Sequence, residues 1–130
     1  MRQVAAQTTA ALLAWTVVAA AGPVRMVVAD LPYSRVWDAA LRTVAGYPVE
    51  RAAEGWIVTG WRERPPRPEE PGFERIAERV TLRVEPFGER VSRVTVEVEA
   101  HGLRAGQWVP VADTTGRARE ILERLREAQG

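Results

Sequence analysis

The sequence contains no cysteine and no lysine, and it has a single histidine, His101. The absence of cysteine excludes disulfides, thiolate metal sites and a thiol nucleophile. Because lysine is absent, arginine supplies all 18 basic residues, and 17 acidic residues bring the formal net charge to +1. Nucleic-acid-binding proteins normally carry a clear basic excess, so we expect no nucleic-acid partner.

A recognisable catalytic constellation is also missing. A hydrolytic triad would need Ser34 or Ser92 and an aspartate beside His101, and nothing in the local sequence supports that arrangement. One histidine among scattered acids does not form a metal-ligand pattern, and the glycine-containing turns lack phosphate-loop spacing. We therefore expect a protein that is not an enzyme and that holds no metal ion or cofactor.

The first 21 residues differ from the rest of the chain. After Arg2 the sequence is uncharged, is most apolar from Ala10 to Ala21, and ends in three small residues, Ala19 to Ala21. This layout is typical of a signal peptide cleaved before Gly22, which predicts export to the periplasm. The alternatives are an inner-membrane anchor over residues 4–21, facing the periplasm, and an ordinary amphipathic helix. No cysteine follows, so a lipoprotein anchor is excluded.

Residues 22–130 are long enough for a single domain. A β-branched run at residues 24–30 predicts a first strand. A helix should follow, with Ser34 as its N-cap and Gly46 at its end, because apolar residues recur with helical spacing: Tyr33, Val36, Trp37, Ala40, Leu41 and Val44. A closing helix is predicted behind a cap at Asp113 and Thr114, from an apolar stripe of Ala118, Ile121, Leu122 and Leu125.

The middle of the chain has the two-residue period of strands. Residues 47–52 and 55–63 predict a hairpin, and unbroken alternation would place Trp56 and Trp61 on opposite faces, one of them against the first helix. The proline-rich and arginine-rich residues 62–72 should form an exposed loop that cannot continue the sheet. After that loop, apolar and polar residues alternate from Phe73 to Ala100.

That second hairpin has a predicted register. Both apolar rows face the core only if even-numbered residues lie opposite even-numbered residues. Among such registers, Val84 opposite Val94 also places Glu85 beside Arg93. A short strand at Trp108 and Val109 follows. The expected fold is α+β, a two-layer sandwich of the helix-grip type with four to six antiparallel strands and two helices on one face, in the order β-α-β-β-β-β-α.

Residues 33–63 resemble the repeated module of the outer-membrane assembly lipoprotein BamC (NlpB) and of related small envelope lipoproteins. The resemblance is carried by VWDA at residues 36–39, GYPVE at 46–50 and TGWRE at 59–63. The chain departs from that family in lacking the lipid-bearing cysteine. The resemblance implies a helix-grip fold and a scaffold or accessory role in outer-membrane assembly or maintenance, and it carries over no catalytic residues.

Two functional hypotheses follow. The first is an interaction module for another envelope protein, with a contact patch made of Trp61, Arg62, Arg64, Arg83 and Arg93, because arginine beside aromatic residues is a common interface anchor. The alternative is a periplasmic binder of a small apolar ligand or lipid between helix and sheet, in a pocket made of Trp37, Leu41 and Trp56.

Overall fold

The computed structural model describes residues 22–129. The predicted signal peptide or anchor, residues 1–21, lies outside the described residues. Within them, no helix is long and apolar enough to cross a membrane.

Seven strands and two helices make up this part of the chain. In chain order they are β1 (Val24–Ala29), α1 (Tyr33–Thr43), β2 (Val49–Ala53), β3 (Trp56–Thr59), β4 (Arg62–Arg64), β5 (Arg75–Gly88), β6 (Val91–Arg104), β7 (Gln107–Pro110) and α2 (Thr115–Gln129). The strands form one antiparallel sheet with both helices on one face. The predicted α+β two-layer fold of the helix-grip type is therefore confirmed, but the predicted count of four to six strands is wrong, because residues 62–64 pair with β5 as an additional strand.

The long hairpin of β5 and β6 is the centre of the sheet. Its register places Val84 opposite Val94 and Glu85 opposite Arg93, as predicted. Even-numbered residues of both strands point to the helices and odd-numbered residues point away, because a strand directs successive side chains to opposite faces. We call the helix-free side, which carries the odd-numbered residues, the outer face.

Each strand of the central hairpin has two shorter neighbours arranged end to end. β3 and β4 both pair with β5, and β1 and β7 both pair with β6. β2 then pairs with β3 and forms one edge of the sheet. The sheet is thus only five strand positions wide, although it contains seven strands.

At each of the two breaks between these end-to-end neighbours, a threonine hydroxyl forms a hydrogen bond to the central hairpin. At the break between β3 and β4, Thr59 Oγ1 accepts the Val80 N–H at 2.9 Å and donates to the Gly60 carbonyl at 2.9 Å. At the break between β1 and β7, Thr114 Oγ1 donates to the Val98 carbonyl at 2.8 Å. Both hydroxyls are buried, so they satisfy strand groups that water does not reach.

The predicted N-terminal cap is confirmed for α2 and is wrong for α1. Asp113 Oδ1 accepts the Thr115 N–H at 3.0 Å, next to the predicted cap residue Thr114. The prediction of Ser34 as the cap of α1 is wrong, because α1 begins one residue earlier behind Pro32. The Pro32 carbonyl accepts the N–H groups of both Arg35 and Val36, so the first turn closes onto Pro32.

The core fills the space between the helices and the sheet. It is built from the even-numbered rows of the central hairpin and the buried stripes of the two helices. Its members include Val36, Val44, Ile57, Val80, Leu82, Val94, Val96, Ile121 and Leu125.

We predict that Thr59→Val destabilises the fold by about 1–3 kcal/mol, the cost of leaving a buried strand N–H without a partner. Valine has nearly the shape of threonine, so the change removes the hydroxyl and little else. The free energy of unfolding measured in urea tests the prediction. Thr95→Val, on the half-buried outer face of β6, is the matched control. Equal free energies for the two variants would show that the Thr59 hydroxyl does not stabilise the break.

Candidate interaction surface

Arginines line the outer face of β5 at every fourth residue. Arg75, Arg79 and Arg83 lie on this face, separated by the smaller Ala77 and Thr81. A strand rises about 3.3 Å per residue, so successive arginines are about 13 Å apart. This spacing leaves room between them for large side chains from the neighbouring strands.

An aromatic ring packs against each of these arginines. The guanidinium carbon lies 5.7 Å from the ring centre of Trp108 for Arg75, 4.9 Å from Trp61 for Arg79 and 4.7 Å from Trp56 for Arg83. A fourth pair is formed by Arg93 on β6, which lies 4.8 Å from the Phe87 ring. These distances are within the range of attractive cation–π contacts.

Each of the four arginines also contacts a carboxylate. The shortest contacts are 3.2 Å from Arg75 to Glu63, 2.8 Å from Arg79 to Glu99, 3.6 Å from Arg83 to Glu85 and 3.0 Å from Arg93 to Glu85. Every guanidinium is therefore held between one ring and one acid. A planar guanidinium fixed in this way has lost much of its rotamer freedom before any partner arrives.

Several of the rings remain open to solvent. Trp61 is 40% exposed, Trp108 41% and Phe87 59%. Neither described helix packs on this face, so the sheet itself shields only one side of the rings. We call the four arginines with their rings, Trp56, Trp61, Phe87 and Trp108, the arginine–aromatic face.

The prediction that Trp56 and Trp61 point in opposite directions is wrong. Trp56 pairs with Arg83 and Trp61 packs on Arg79, which places both rings on the outer face. The reason is the break after Thr59: β3 pairs with β5 through Val58 opposite Thr81, and β4 pairs with β5 through Arg62 opposite Glu78, so one extra residue lies between the two pairings on the β3–β4 side. This irregularity shifts the alternation by one residue.

The five residues of the predicted contact patch are divided between the two sides of the sheet. Trp61, Arg83 and Arg93 belong to the arginine–aromatic face. Arg62 and Arg64 lie on the helix side instead, because residues 62–64 form β4 and pair with β5. The prediction that residues 62–72 cannot continue the sheet is thus wrong for its first three residues. Arg62 stacks over the Tyr47 ring at 5.1 Å.

Arg64 takes part in an ion network around a buried glutamate. Glu78 is 1% exposed and lies on the helix side of β5, in a row that is otherwise apolar. Arg64 Nε donates to Glu78 Oε1 at 2.9 Å, and its two terminal nitrogens donate to the carboxylate of Glu70 at 2.8 and 2.9 Å. The network thereby ties β4 and the following loop to β5.

The first turn of α2 closes the other side of this network. Arg117 Nη2 donates to Glu78 Oε2 at 2.8 Å and to Tyr47 Oη at 3.1 Å. Tyr47 in turn donates to Glu78, and Arg117 pairs with Glu120. Glu78 therefore holds together β4, β5, α2 and the segment before β2.

These contacts change the acidity of the groups involved. Burial opposes ionisation of Glu78, but hydrogen bonds from Arg117, Tyr47 and Arg64 outweigh it and lower the pKa of Glu78 to about 2. Hydrogen bonding from Arg64 lowers the pKa of Glu70. Burial raises the pKa of Tyr47, and its hydrogen bond to Glu78 adds to that shift.

This network was not predicted from the sequence, although one residue indicates it. The apolar row of β5 reads Ile76, Val80, Leu82 and Val84, and Glu78 occupies the position that it skips. A charged residue on a core row is almost never fully buried unless it is paired. The partners could not be deduced, since Arg64 and Arg117 are 14 and 39 residues away along the chain.

The three residues of the predicted apolar pocket are not brought together. Trp37 and Leu41 pack on the helix side, at the margin of the core, whereas Trp56 lies on the outer face. Trp37 instead stacks on Tyr33, with ring centres 6.4 Å apart. These two rings line an open groove of about 770 Å³ beside the tip of the central hairpin, together with Val84, Pro86 and Phe87.

Residues with catalytic potential are also separated. His101 lies on the outer face, where its ring contacts Trp61 at 5.2 Å. Ser92 is buried on the helix side. Among residues 22–129, no group of three or more histidine, aspartate and glutamate side chains is placed to hold a metal ion.

Comparisons with known proteins assign no family to this chain. No family model matches it, and no curated protein matches it. Matches do exist among solved structures. One of them is the Zhui aromatase/cyclase from Streptomyces sp. R1128, which is 17% identical over 83% of this chain and 84% of that chain, with a TM-score of 0.32.

We predict that stability falls as the pH is lowered from about 4.5 to 2. Because the pKa of Glu78 is lowered from 4.5 to about 2 by folding, its charge stabilises the native state above pH 4.5 and ceases to do so near pH 2. The expected loss is about 3 kcal/mol. Urea unfolding at a series of pH values measures it.

Glu78→Gln is the test variant for this prediction, with the exposed Glu97→Gln as its control. Loss of the buried charge should cost roughly 3–5 kcal/mol at neutral pH, since two arginines lose their carboxylate. It should also reduce the slope between pH 4.5 and 2 to what Glu70, Asp113 and Glu120 contribute, since folding lowers the pKa of each of these carboxyl groups as well. An unchanged slope in Glu78→Gln would contradict the proposed origin of the acid sensitivity.

Proposed function

We propose that this chain is a non-catalytic accessory or scaffold protein of the bacterial cell envelope, and that it binds another protein through its arginine–aromatic face. The observation that carries the proposal is the fixed pairing of four arginines with four aromatic rings on the one side of the sheet that no described helix covers.

The composition of the face supports a protein partner. Tryptophan, tyrosine and arginine are enriched among the residues that carry most of the binding energy in protein interfaces. Trp61 and Trp108 offer large apolar rings at low entropic cost, and the arginines keep N–H donors for a partner's carbonyl or carboxylate groups.

The charge of the face supports the same class of partner. The arginines on this face pair with Glu63, Glu85 and Glu99, so the surface presents charges of both signs in alternation. A nucleic acid would instead be attracted by an uncompensated basic stripe. A partner protein can meet alternating charges with complementary ones, which favours a specific orientation.

The envelope location rests on the sequence. An N-terminal segment with the layout of a signal peptide and the resemblance of residues 33–63 to the BamC module both point to the periplasmic side of the inner membrane. We propose that the chain acts in outer-membrane assembly or maintenance, either released into the periplasm or held by residues 4–21.

Site-specific photo-crosslinking in the protein's own host tests the proposal. A benzoylphenylalanine placed at the exposed Glu97, in the middle of the outer face, should give a discrete adduct with one envelope protein. The matched control is the same probe at Arg124, which is exposed on α2. Trp61→Ala combined with Trp108→Ala should reduce the Glu97 adduct at least tenfold.

Two outcomes would contradict the interaction proposal. One is the same set of adducts from both probe positions, and the other is an adduct from Glu97 that survives the double tryptophan substitution. The location is checked in the same cells: an intact mass that begins at Gly22 in the periplasmic fraction supports export, whereas full-length protein in the cytosol refutes an envelope role.

A second function, binding of a small apolar molecule, is favoured by the groove beside Tyr33 and Trp37. Its volume of about 770 Å³ is within the usual range for ligand sites. The core between the helices and the sheet is filled by buried side chains, so we place this candidate site at the flank of α1 rather than beneath it.

Binding of an apolar fluorescent dye to the folded protein tests this second function. We expect 1:1 uptake that Trp37→Ala weakens at least fivefold, because the indole lines the groove and offers a large apolar ring. Trp61→Ala, on the outer face, is the matched control and should bind the dye like the unchanged protein. Uptake that depends on Trp61 instead of Trp37 would rule out the groove as the binding site.

A further inference from the structure

The two edges of the sheet differ in how well they are protected against pairing with another strand. The β2 edge begins behind Pro48, contains a bulge between Val49 and Arg51, and carries the charged side chains of Glu50 and Arg51. Prolines, bulges and charged side chains are the usual features that prevent a sheet edge from pairing with another strand. The β2 edge therefore resists pairing.

The β1 edge has almost none of these devices. Its sequence, VRMVVA, is apolar and β-branched apart from Arg25, it pairs with β6 without a bulge, and Val27 in its middle is 63% exposed. Among residues 22–129, no strand pairs with its other side. An edge of this kind is a template for a further strand.

The backbone groups that face outward from β1 can be identified. The Asp30 N–H donates to the Arg90 carbonyl at 2.8 Å, which continues the ladder to β6. In an antiparallel pair only every second residue bonds to a given neighbour. Val28 and Met26 therefore bond to β6 as Asp30 does, and Arg25, Val27 and Ala29 direct their N–H and carbonyl groups outward.

We propose that this edge pairs with the β1 edge of a second copy of the chain, antiparallel about a two-fold axis at Val27. This register places Val27 opposite Val27 of the other copy and Arg25 opposite Ala29. All three outward residues take part, which gives about six hydrogen bonds across the axis. No like charges face each other along the strands, and a two-fold axis makes one surface patch complementary to itself.

Charged residues on α2 favour a second copy of this chain, rather than an unrelated strand, as the partner of the β1 edge. Arg126 Nη2 lies 3.7 Å from the sulfur of Met26, the residue next to the axis, and Arg126 forms an ion pair with Glu123 at 3.2 Å. The axis relates these residues to the same pair in the other copy. Charges of both signs from each copy then lie close together in the helix layer, next to the position where the strands meet.

This dimer is independent of the proposed function, because it uses an edge of the sheet and not its face. It would join the two sheets into one and place the arginine–aromatic faces of both copies side by side. A partner with two matching sites would then bind more tightly than it binds a single copy.

Because the chain has no cysteine, single-cysteine variants of the full chain can test the pairing directly. Residues that face each other in a hydrogen-bonded antiparallel pair have Cα atoms about 5.5 Å apart, which a disulfide can span. Val27→Cys should form a covalent dimer when air oxidation is catalysed by copper phenanthroline. Val49→Cys is the matched control, because Val49 is 46% exposed on the opposite edge.

We expect at least fivefold more covalent dimer from Val27→Cys than from Val49→Cys at equal concentration, and a fraction that persists on dilution. Sedimentation velocity should show that the unchanged chain is dimeric and that Val27→Lys shifts it to the monomer. Circular dichroism checks that each variant is folded. The proposal would be overturned if the unchanged chain were monomeric, or if the two edges crosslinked equally. It would also be overturned if Val27→Cys crosslinked only to another protein.

Discussion

The buried carboxylate of Glu78 determines how the helices and the short strands dock on the central hairpin. It is ionised in the core, and only the convergence of Arg64, Arg117 and Tyr47 compensates for the hydration it has lost. Those partners come from β4, from α2 and from the segment before β2. The carboxylate can be satisfied only when these elements are docked on β5, so it couples closure of the helix layer to completion of the sheet.

This arrangement divides the arginines of the chain between two roles. On the helix side, Arg64 and Arg117 are largely buried and join elements that are distant in the sequence. On the outer face, Arg79 and Arg83 are half exposed and are held between a ring and an acid. Folding thus uses the first group, while the second remains available for binding. A chain without lysine is suited to both roles, since the planar guanidinium can stack and donate in two directions at once.

Periodicity alone predicted the elements with a clear hydrophobic pattern. The long hairpin, its register and the helix layer follow from alternation and from helical spacing, because burial of one face leaves a single acceptable arrangement. The errors lie where the pattern is interrupted. The break at Gly60 reversed the face assigned to Trp61, and the prolines after Arg64 concealed the three residues of β4. The position of Glu78 in an apolar row was visible in the sequence, but its partners depend on tertiary contacts that no local pattern encodes.

Binding of a partner to the arginine–aromatic face can be observed directly through the tryptophans of that face. The protein labelled with 5-fluorotryptophan would be mixed with solubilised envelope from its host and observed by fluorine NMR. If the arginine–aromatic face binds the partner, the signals of Trp56, Trp61 and Trp108 shift or broaden, while that of Trp37, on the helix side, stays unchanged. A change confined to Trp37, or no change in any signal, would contradict the proposed binding.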